Sequence, residues 1–148
     1  MKVALDTNVL AYAEGVNGAL QQKAALAIIA KLTTRTTFLP VQVLGELFYL
    51  LVRKVGRSPQ QARSSLLIWQ DAFPLIDTSQ NVMLTAVDLA FRHRFQIWDA
   101  VVLSAAAAAE CRLLLSEDMQ DGFTWNGVTV VNPFAKTPNE LLLEALNQ

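Results

Sequence analysis

Two carboxylates of this sequence lie in apolar segments that offer them no local countercharge. Glu46 lies in the segment 41–51 and Asp99 in the segment 95–103, and neither segment contains a lysine or an arginine. The neighbours three and four positions from each acid on a helix are therefore uncharged. A buried carboxylate without a partner is costly. Each of these acids must meet a distant arginine, be protonated, or share a cation with other acids.

Two further acids follow apolar stretches that are typical of buried strands. Asp6 ends the stretch 2–6, and Asp118 follows Leu113–Leu115 after Ser116 and Glu117. In an open α/β sheet, ligands bind beyond the carboxyl ends of the strands. Either acid alone could simply cap a following helix. A shared cation is the explanation that accounts for all four acids together.

The kind of cation follows from the available ligands. Mg²⁺ and Mn²⁺ prefer carboxylate oxygens and water. The chain has one histidine, His93, and one cysteine, Cys111, so a structural zinc site is excluded. A divalent ion held by acids can activate water and stabilise the charge that develops when a phosphodiester is cleaved. The residues alone thus predict an acidic Mg²⁺ or Mn²⁺ site.

The elements that would position these acids alternate as β-α-α-β-α-α-β-α-α-β-β. The strands are continuous apolar runs rather than alternating ones, which predicts a mostly parallel sheet covered on both faces and an α/β, three-layer α/β/α fold. Thr7 or Asn8 is expected to cap the first helix, and Ser58 the helix that begins at Pro59. Residues 134–148 are expected to form a C-terminal tail with a helix. The predicted strands are 2–6, 36–39, 75–77, 112–115 and 128–131.

Composition excludes several classes of protein. The chain has 148 residues, 53% of them hydrophobic and 17% charged, which excludes disorder and predicts a single domain over residues 1–148. No apolar run approaches the roughly 20 residues of a membrane span, and Asp6 interrupts the apolar N-terminal stretch, against a secretory signal. A lone cysteine suits the reducing cytoplasm. The net charge of −1 excludes a protein that binds nucleic acid over its whole surface.

Four motifs of this sequence resemble those of the PIN-domain nucleases, particularly the toxins of VapBC-type toxin–antitoxin pairs. The resemblance spans residues 2–134, and its motifs occur in the family's order. They are the Asp-Thr-Asn of Val3–Leu10, Glu46 within Val43–Leu47, the helix Trp98–Ala105, and the segment Leu114–Gly122, with Asn132–Phe134 closing the last strand.

The resemblance implies a fold, an activity and partners. It implies a five-stranded parallel sheet and a Mg²⁺- or Mn²⁺-dependent endoribonuclease that acts on RNA. It further implies a protein antitoxin that blocks the site, and a homodimer.

The resemblance also assigns roles to individual residues. Asp6 and Asp99 would be the most direct metal ligands, and Glu46 would complete the site directly or through water. Asp118 would bind a second metal or orient water, and Asp121 is the alternative or assisting acid. Asp118 is favoured because it stands two positions after Ser116. The expected hydrogen-bond partners of the acids are Asn8 and Ser116.

Some residues and functions keep two interpretations. Arg92 and Arg94 end a predicted helix, where cations favour the macrodipole, or they contact RNA phosphates. Trp69, Trp98 and Trp125 are expected in the core or in an interface.

A haloacid-dehalogenase-like phosphatase would use Asp6 as nucleophile, but such enzymes usually need a second Asp where Asn8 stands. The stronger rival is a non-catalytic PIN module that binds RNA or protein.

Overall fold

The computed structural model describes residues 1–148 and contains one six-stranded sheet. The strand order is β3-β2-β1-β4-β6-β5, so the first strand of the chain lies in the middle of the sheet. All neighbouring pairs are parallel except β5 and β6. The strands are β1 (Val3–Leu5), β2 (Thr37–Pro40), β3 (Leu75–Ile76), β4 (Leu113–Leu115), β5 (Thr124–Trp125) and β6 (Val128–Val131).

The prediction of an α/β fold with a mostly parallel sheet is confirmed, but the predicted strand count of five is wrong. The additional strand is β5, which pairs antiparallel with β6. The two residues between them, Asn126 and Gly127, both have positive φ angles, of 46° and 83°. This is the backbone of a two-residue hairpin turn, which Asn-Gly strongly favours. The turn is visible in the sequence, whereas a two-residue strand has too few positions to show a pattern.

Seven helices surround the sheet. Ser58 begins α4 with a capping box, since its hydroxyl accepts from the N–H of Gln61 while the Gln61 side chain accepts from the N–H of Ser58. Ser79 caps the helix Gln80–His93, since its hydroxyl accepts from the N–H of Val82. The helices are α1 (Thr7–Ala13), α2 (Ala19–Lys31), α3 (Val41–Arg53), α4 (Pro59–Ala72), α5 (Gln80–His93), α6 (Ile97–Ala108) and α7 (Glu140–Leu146).

The core lies on both sides of the central strands. Every residue of β1 and β4 is buried, as a strand covered on both faces requires. At one margin of the core, Glu14 joins the end of α1 to α4, because its carboxylate accepts from Arg57 Nη1 at 2.8 Å and from Trp69 Nε1 at 2.8 Å. No helix combines the length and the hydropathy that crossing a bilayer demands.

Candidate active site

Parallel pairing of β1 and β4 brings two distant acidic segments together. Leu5 is in register with Leu115, so both strands end at the same edge of the sheet. The N–H of Asp6 continues the ladder by donating to the carbonyl of Leu115 at 3.0 Å. Asp6 and the segment that begins at Ser116 therefore leave the sheet side by side, as expected for the ligand-binding edge of a parallel sheet.

The Asp6 carboxylate is buried and held by neutral donors. Ser116 Oγ donates to Oδ2 at 2.6 Å, and the N–H of Thr7 donates to Oδ1 at 2.8 Å. This second bond makes Asp6 the N-cap of α1. The expectation that Thr7 or Asn8 would cap this helix is wrong, because the strand passes directly into the helix at Asp6.

Glu46 reaches the same region from α3, the helix that follows β2. Thr7 Oγ1 donates to one of its oxygens at 2.8 Å, and Gln42 Nε2 donates to the other at 3.1 Å. Sequence reasoning missed both donors. Their only signals are the position of Thr7 directly after Asp6 and the position of Gln42 one helical turn before Glu46.

Asn8 connects the end of β1 to the segment after β4. Its Nδ2 lies 3.2 Å from Asp118 Oδ2 and 3.4 Å from Asp6 Oδ2, and its Oδ1 accepts from the N–H of Glu117 at 3.2 Å. One amide thus spans both acids. The carboxylate of Asp121 is engaged elsewhere, since its Oδ1 accepts from the N–H of Asn132 at 2.9 Å.

The neighbouring Glu117 does not join these acids. Its Oε1 accepts from the hydroxyl of Tyr12 at 2.6 Å. Burial and this hydrogen bond raise the pKa of Tyr12 to about 12. Tyr12 therefore stays neutral and donating at physiological pH.

Charge repulsion and burial act on the acids of this edge together. The pKa of Asp6 is raised to about 7, mainly by burial and to a smaller extent by the charges of Asp99 and Glu46, against the lowering effect of the hydrogen bonds from Ser116 and Thr7. Burial also raises the pKa of Asp99 to about 6, with the charges of Glu46 and Asp118 adding to the shift. Asp99, from the first turn of α6, is thus close enough to the other acids to feel their charges.

None of the four acids has a basic partner. The chain contains one salt bridge, between Arg57 and Glu14, and it lies outside this site. Pairing with a distant arginine, one of the alternatives for Glu46 and Asp99, is therefore excluded by the geometry. Burial and neighbouring charges destabilise the ionised forms of Asp6 and Asp99, which suits them to a site that receives positive charge.

The donor set suits a hard cation, although it is not arranged as a closed cage. The side chains that converge offer oxygen ligands of the kind that Mg²⁺ and Mn²⁺ prefer. As the side chains lie, no group of three or more His, Cys, Asp or Glu residues is arranged so that it could hold a metal ion. His93 borders the same hollow as Asp99 and Asp118, with its ring against that of Phe123, and Cys111 is buried. The chemistry of the donors fits a divalent ion, and their closure around it requires side-chain movement.

Two openings lead to the acids. A groove of about 500 Å³ is lined by Glu46 and Asp118 together with Tyr49 and Trp98. A smaller hollow of about 200 Å³ is lined by Asp99, Asp118 and Arg94, among others. Arg94, the C-cap of α5, thus shares a wall with two acids, whereas Arg92 does not line this hollow. Trp98, expected in the core or in an interface, is 46% exposed.

Comparison with solved structures identifies similar folds. The VapC20 toxin of Mycobacterium tuberculosis, which cleaves the sarcin–ricin loop, aligns with a TM-score of 0.68 and 17% identity over 79% of this chain and 90% of that one. A chain of a toxin–antitoxin complex from Klebsiella pneumoniae aligns with a TM-score of 0.67 and 20% identity, over 90% of this chain and 98% of that one. A chain of VapBC2 from Rickettsia felis, bound to a promoter DNA fragment, aligns with a TM-score of 0.63 and 21% identity, over 88% of this chain and 97% of that one.

These likenesses concern the fold, since fewer than a quarter of the aligned residues are identical. No curated protein is similar to the chain in sequence. The profile of the PIN domain matches residues 3–120, a range that includes Asp6, Glu46, Asp99 and Asp118. The chain belongs to the PIN domain family.

Proposed function

We propose that the chain is a metal-dependent endoribonuclease that hydrolyses RNA phosphodiesters. The observation that carries the proposal is the convergence of Asp6, Glu46, Asp99 and Asp118 at one edge of the sheet without a basic partner. A structural ion pair would have supplied an arginine or a lysine. The one cysteine, Cys111, is buried and lines neither opening to the acids, and the one histidine, His93, lines the smaller hollow together with Asp99 and Asp118.

Each polar residue of the edge receives a role in this proposal. Asp6 and Asp99 hold Mg²⁺ or Mn²⁺, Glu46 completes the site, and Asp118 binds a second ion or orients water. When bound, a divalent ion lowers the pKa of water and neutralises charge on the phosphate. Neutral side chains position the acids, as their hydrogen bonds support: Ser116 for Asp6, Thr7 and Gln42 for Glu46, and Asn8 for Asp118.

The biological setting that we propose is a toxin–antitoxin pair. The support is the family together with the similar folds, since one of these proteins is a toxin that cleaves the sarcin–ricin loop and another belongs to a toxin–antitoxin complex. The chain would then be the toxin, a cytoplasmic homodimer formed by one domain over residues 1–148. A cognate antitoxin would be its inhibiting partner. Arg94, and with less support Arg92, would contact RNA phosphates.

Cleavage of RNA by the purified, antitoxin-free protein tests the activity. We expect cleavage with Mg²⁺ or Mn²⁺, none with EDTA, and none by Asp6→Asn or Asp99→Asn. The matched control is Asp88→Asn, which changes an exposed aspartate of α5. Equal cleavage in every sample would indicate a contaminating nuclease and refute the proposal.

A second candidate is a PIN module that binds RNA or protein without cleaving. The observation in its favour is that no three of the acids are arranged to hold an ion as they lie. RNA binding by wild-type protein that never leads to cleavage, with either metal, would support this candidate against the first. Addition of Mg²⁺ separates the two before any substrate is known, because an enzyme of this kind gains thermal stability with the ion and loses that gain in Asp6→Asn.

A further inference from the structure

Two large aromatic side chains stand exposed in the groove beside the acids. Tyr49 is 61% exposed and Trp98 is 46% exposed, although both belong to apolar segments. Together with Glu46 and Asp118 they line the same groove of about 500 Å³. Leaving a tyrosine and a tryptophan in water forgoes the stabilisation that their burial would give. Their exposure at this place therefore indicates a ligand surface.

The lining of the groove disfavours an anionic ligand group. Besides the two aromatic residues, its polar side chains are two carboxylates, two amides and one aliphatic hydroxyl, from Glu46, Asp118, Asn8, Gln42 and Thr7, and no lysine or arginine is among them. A phosphate would meet repulsion here unless a cation came with it. A flat, neutral group with polar edges fits aromatic rings and amides instead. The volume lies within the range of roughly 300–1,000 Å³ for small-ligand pockets.

The surroundings of Tyr49 supply a cation just outside the groove. The guanidinium carbon of Arg53 lies 5.8 Å from the centroid of the Tyr49 ring, one helical turn further along α3. An arginine over an aromatic ring restrains the ring and leaves N–H donors free for a phosphate. Aromatic rings beside a cation form the usual platform for single-stranded nucleic acid, where bases stack and the backbone follows the positive charge.

We propose that Tyr49 and Trp98 form a subsite that holds one unpaired nucleobase of the RNA next to the bond that is cleaved. The proposal rests on the ribonuclease function proposed above and extends it to the substrate. A base inside a duplex has both faces covered by its neighbours, whereas a base in a loop or a single strand can stack on a protein ring. The enzyme should therefore require at least one unpaired nucleotide at the cleavage site.

The test uses a labelled single-stranded oligoribonucleotide of mixed sequence, whose cleavage position is first mapped with the wild-type enzyme and Mg²⁺ or Mn²⁺. We expect Trp98→Ala and Tyr49→Ala each to lower kcat/KM about 10- to 100-fold, the range that loss of one base stack produces. Trp98→Phe, which keeps a ring, should retain most of the activity. Phe91→Ala is the matched control, because Phe91 is 78% exposed on α5 and does not line the groove.

Substrates that lack a base separate stacking from a structural role. The same oligonucleotide is prepared with an abasic residue at each position near the cleaved bond in turn. One of these substrates should lose about as much kcat/KM with the wild type as the intact substrate loses with Trp98→Ala. The same abasic substrate should lose nothing further with Trp98→Ala, because the stack is already absent. An unstable variant would lose activity towards every substrate alike.

Gly45 offers a second way to close the groove without weakening the fold. It lines the groove in the middle of α3, and a Cβ added there meets no atom within 4 Å. In Gly45→Leu the new side chain would occupy the space of the base, and leucine favours a helix more than glycine does. We expect kcat/KM to fall with no fall in Tm.

The possible failures are distinguishable. If the wild type cleaves and Asp6→Asn does not, but the three groove variants cleave like Phe91→Ala, the base subsite is wrong and the nuclease function stands. Equal cleavage of the oligonucleotide and of its duplex would contradict the subsite as well, and would point to a protein partner for the aromatic pair. If the wild type cleaves no RNA with either metal, both proposals are overturned.

Discussion

Replacing Asp6 by asparagine should stabilise the metal-free protein above pH 7. Burial raises the pKa of Asp6 from 3.8 to about 7, so the folded state holds this proton more tightly than the unfolded chain does. Below the unfolded pKa, near 3.8, both states are protonated and the carboxyl group does not affect stability. As the pH rises from there to about 7, the unfolded chain ionises first and the free energy of unfolding falls.

The expected change in the free energy of unfolding follows from the difference between the folded and unfolded pKa values of Asp6. A difference of about 3 pKa units at about 1.4 kcal/mol per unit destabilises the fold by about 4 kcal/mol above pH 7. Asparagine removes this charge and still accepts from the N–H of Thr7, but its amide nitrogen cannot accept from Ser116. Loss of that hydrogen bond reduces the expected gain to about 2 kcal/mol. For a chain of this length, this corresponds to a rise in Tm of roughly 4–8 °C.

Thermal unfolding followed by circular dichroism in EDTA, at pH 5 and at pH 8, measures the effect. The wild type should lose stability between the two values. Asp6→Asn should lose less, because only the contribution of Asp99, whose pKa is raised to about 6, is left. The control Asp88→Asn should follow the wild type. If Asp6→Asn melts below the wild type at pH 8, the hydrogen bonds to the carboxylate outweigh its burial. The inference that the ionised Asp6 carboxylate destabilises the metal-free fold would then be refuted.

Three further substitutions test other parts of the structure. Glu14→Ala removes the acceptor shared by Arg57 and Trp69 and should lower the free energy of unfolding in urea by roughly 1–3 kcal/mol; a loss under about 0.5 kcal/mol would mean that water replaces both bonds. Arg94→Gly should raise the free energy of unfolding by about 0.5–1 kcal/mol, because φ is 58° at this position and glycine adopts positive φ more readily than arginine. A decrease would show that the arginine side chain makes a stabilising contact. Tyr12→Phe should destabilise by about 2 kcal/mol through loss of its bond to a carboxylate, and an unchanged urea midpoint would contradict this.

The sequence is sufficient to predict the sheet and the convergence of its acidic strand ends. Apolar runs such as Leu113–Leu115 are readable because a strand buried on both faces needs apolar residues throughout. Asp6 and Asp118 come together because parallel neighbours end at one edge. Asn8 reaches Asp118 while Asp121 bonds to the chain near the end of β6. The choice of Asp118 over Asp121 as the fourth acid of the metal site stays a prediction.

Other features depend on the fold and leave little trace in the sequence. The exposure of Trp98 is one, because the residues of α6 are almost all apolar and their pattern does not distinguish its exposed first turn from the buried residues that follow. The bond of Thr7 to Glu46 is another, since it depends on how α3 packs against α1. A two-residue strand such as β5 depends on its hairpin turn, and its pattern is too short to detect.

The central position of β1 determines when the site can exist during synthesis. Asp6 leaves the ribosome among the first residues, but its partner Ser116 is 110 positions away and follows the strand that pairs with β1. At about 5–20 residues per second, translation separates the two by roughly 5–20 s. A nascent or prematurely terminated chain that ends before β4 contains three of the four acids and cannot assemble the edge that joins them. The nuclease activity proposed above would therefore arise only on nearly finished molecules.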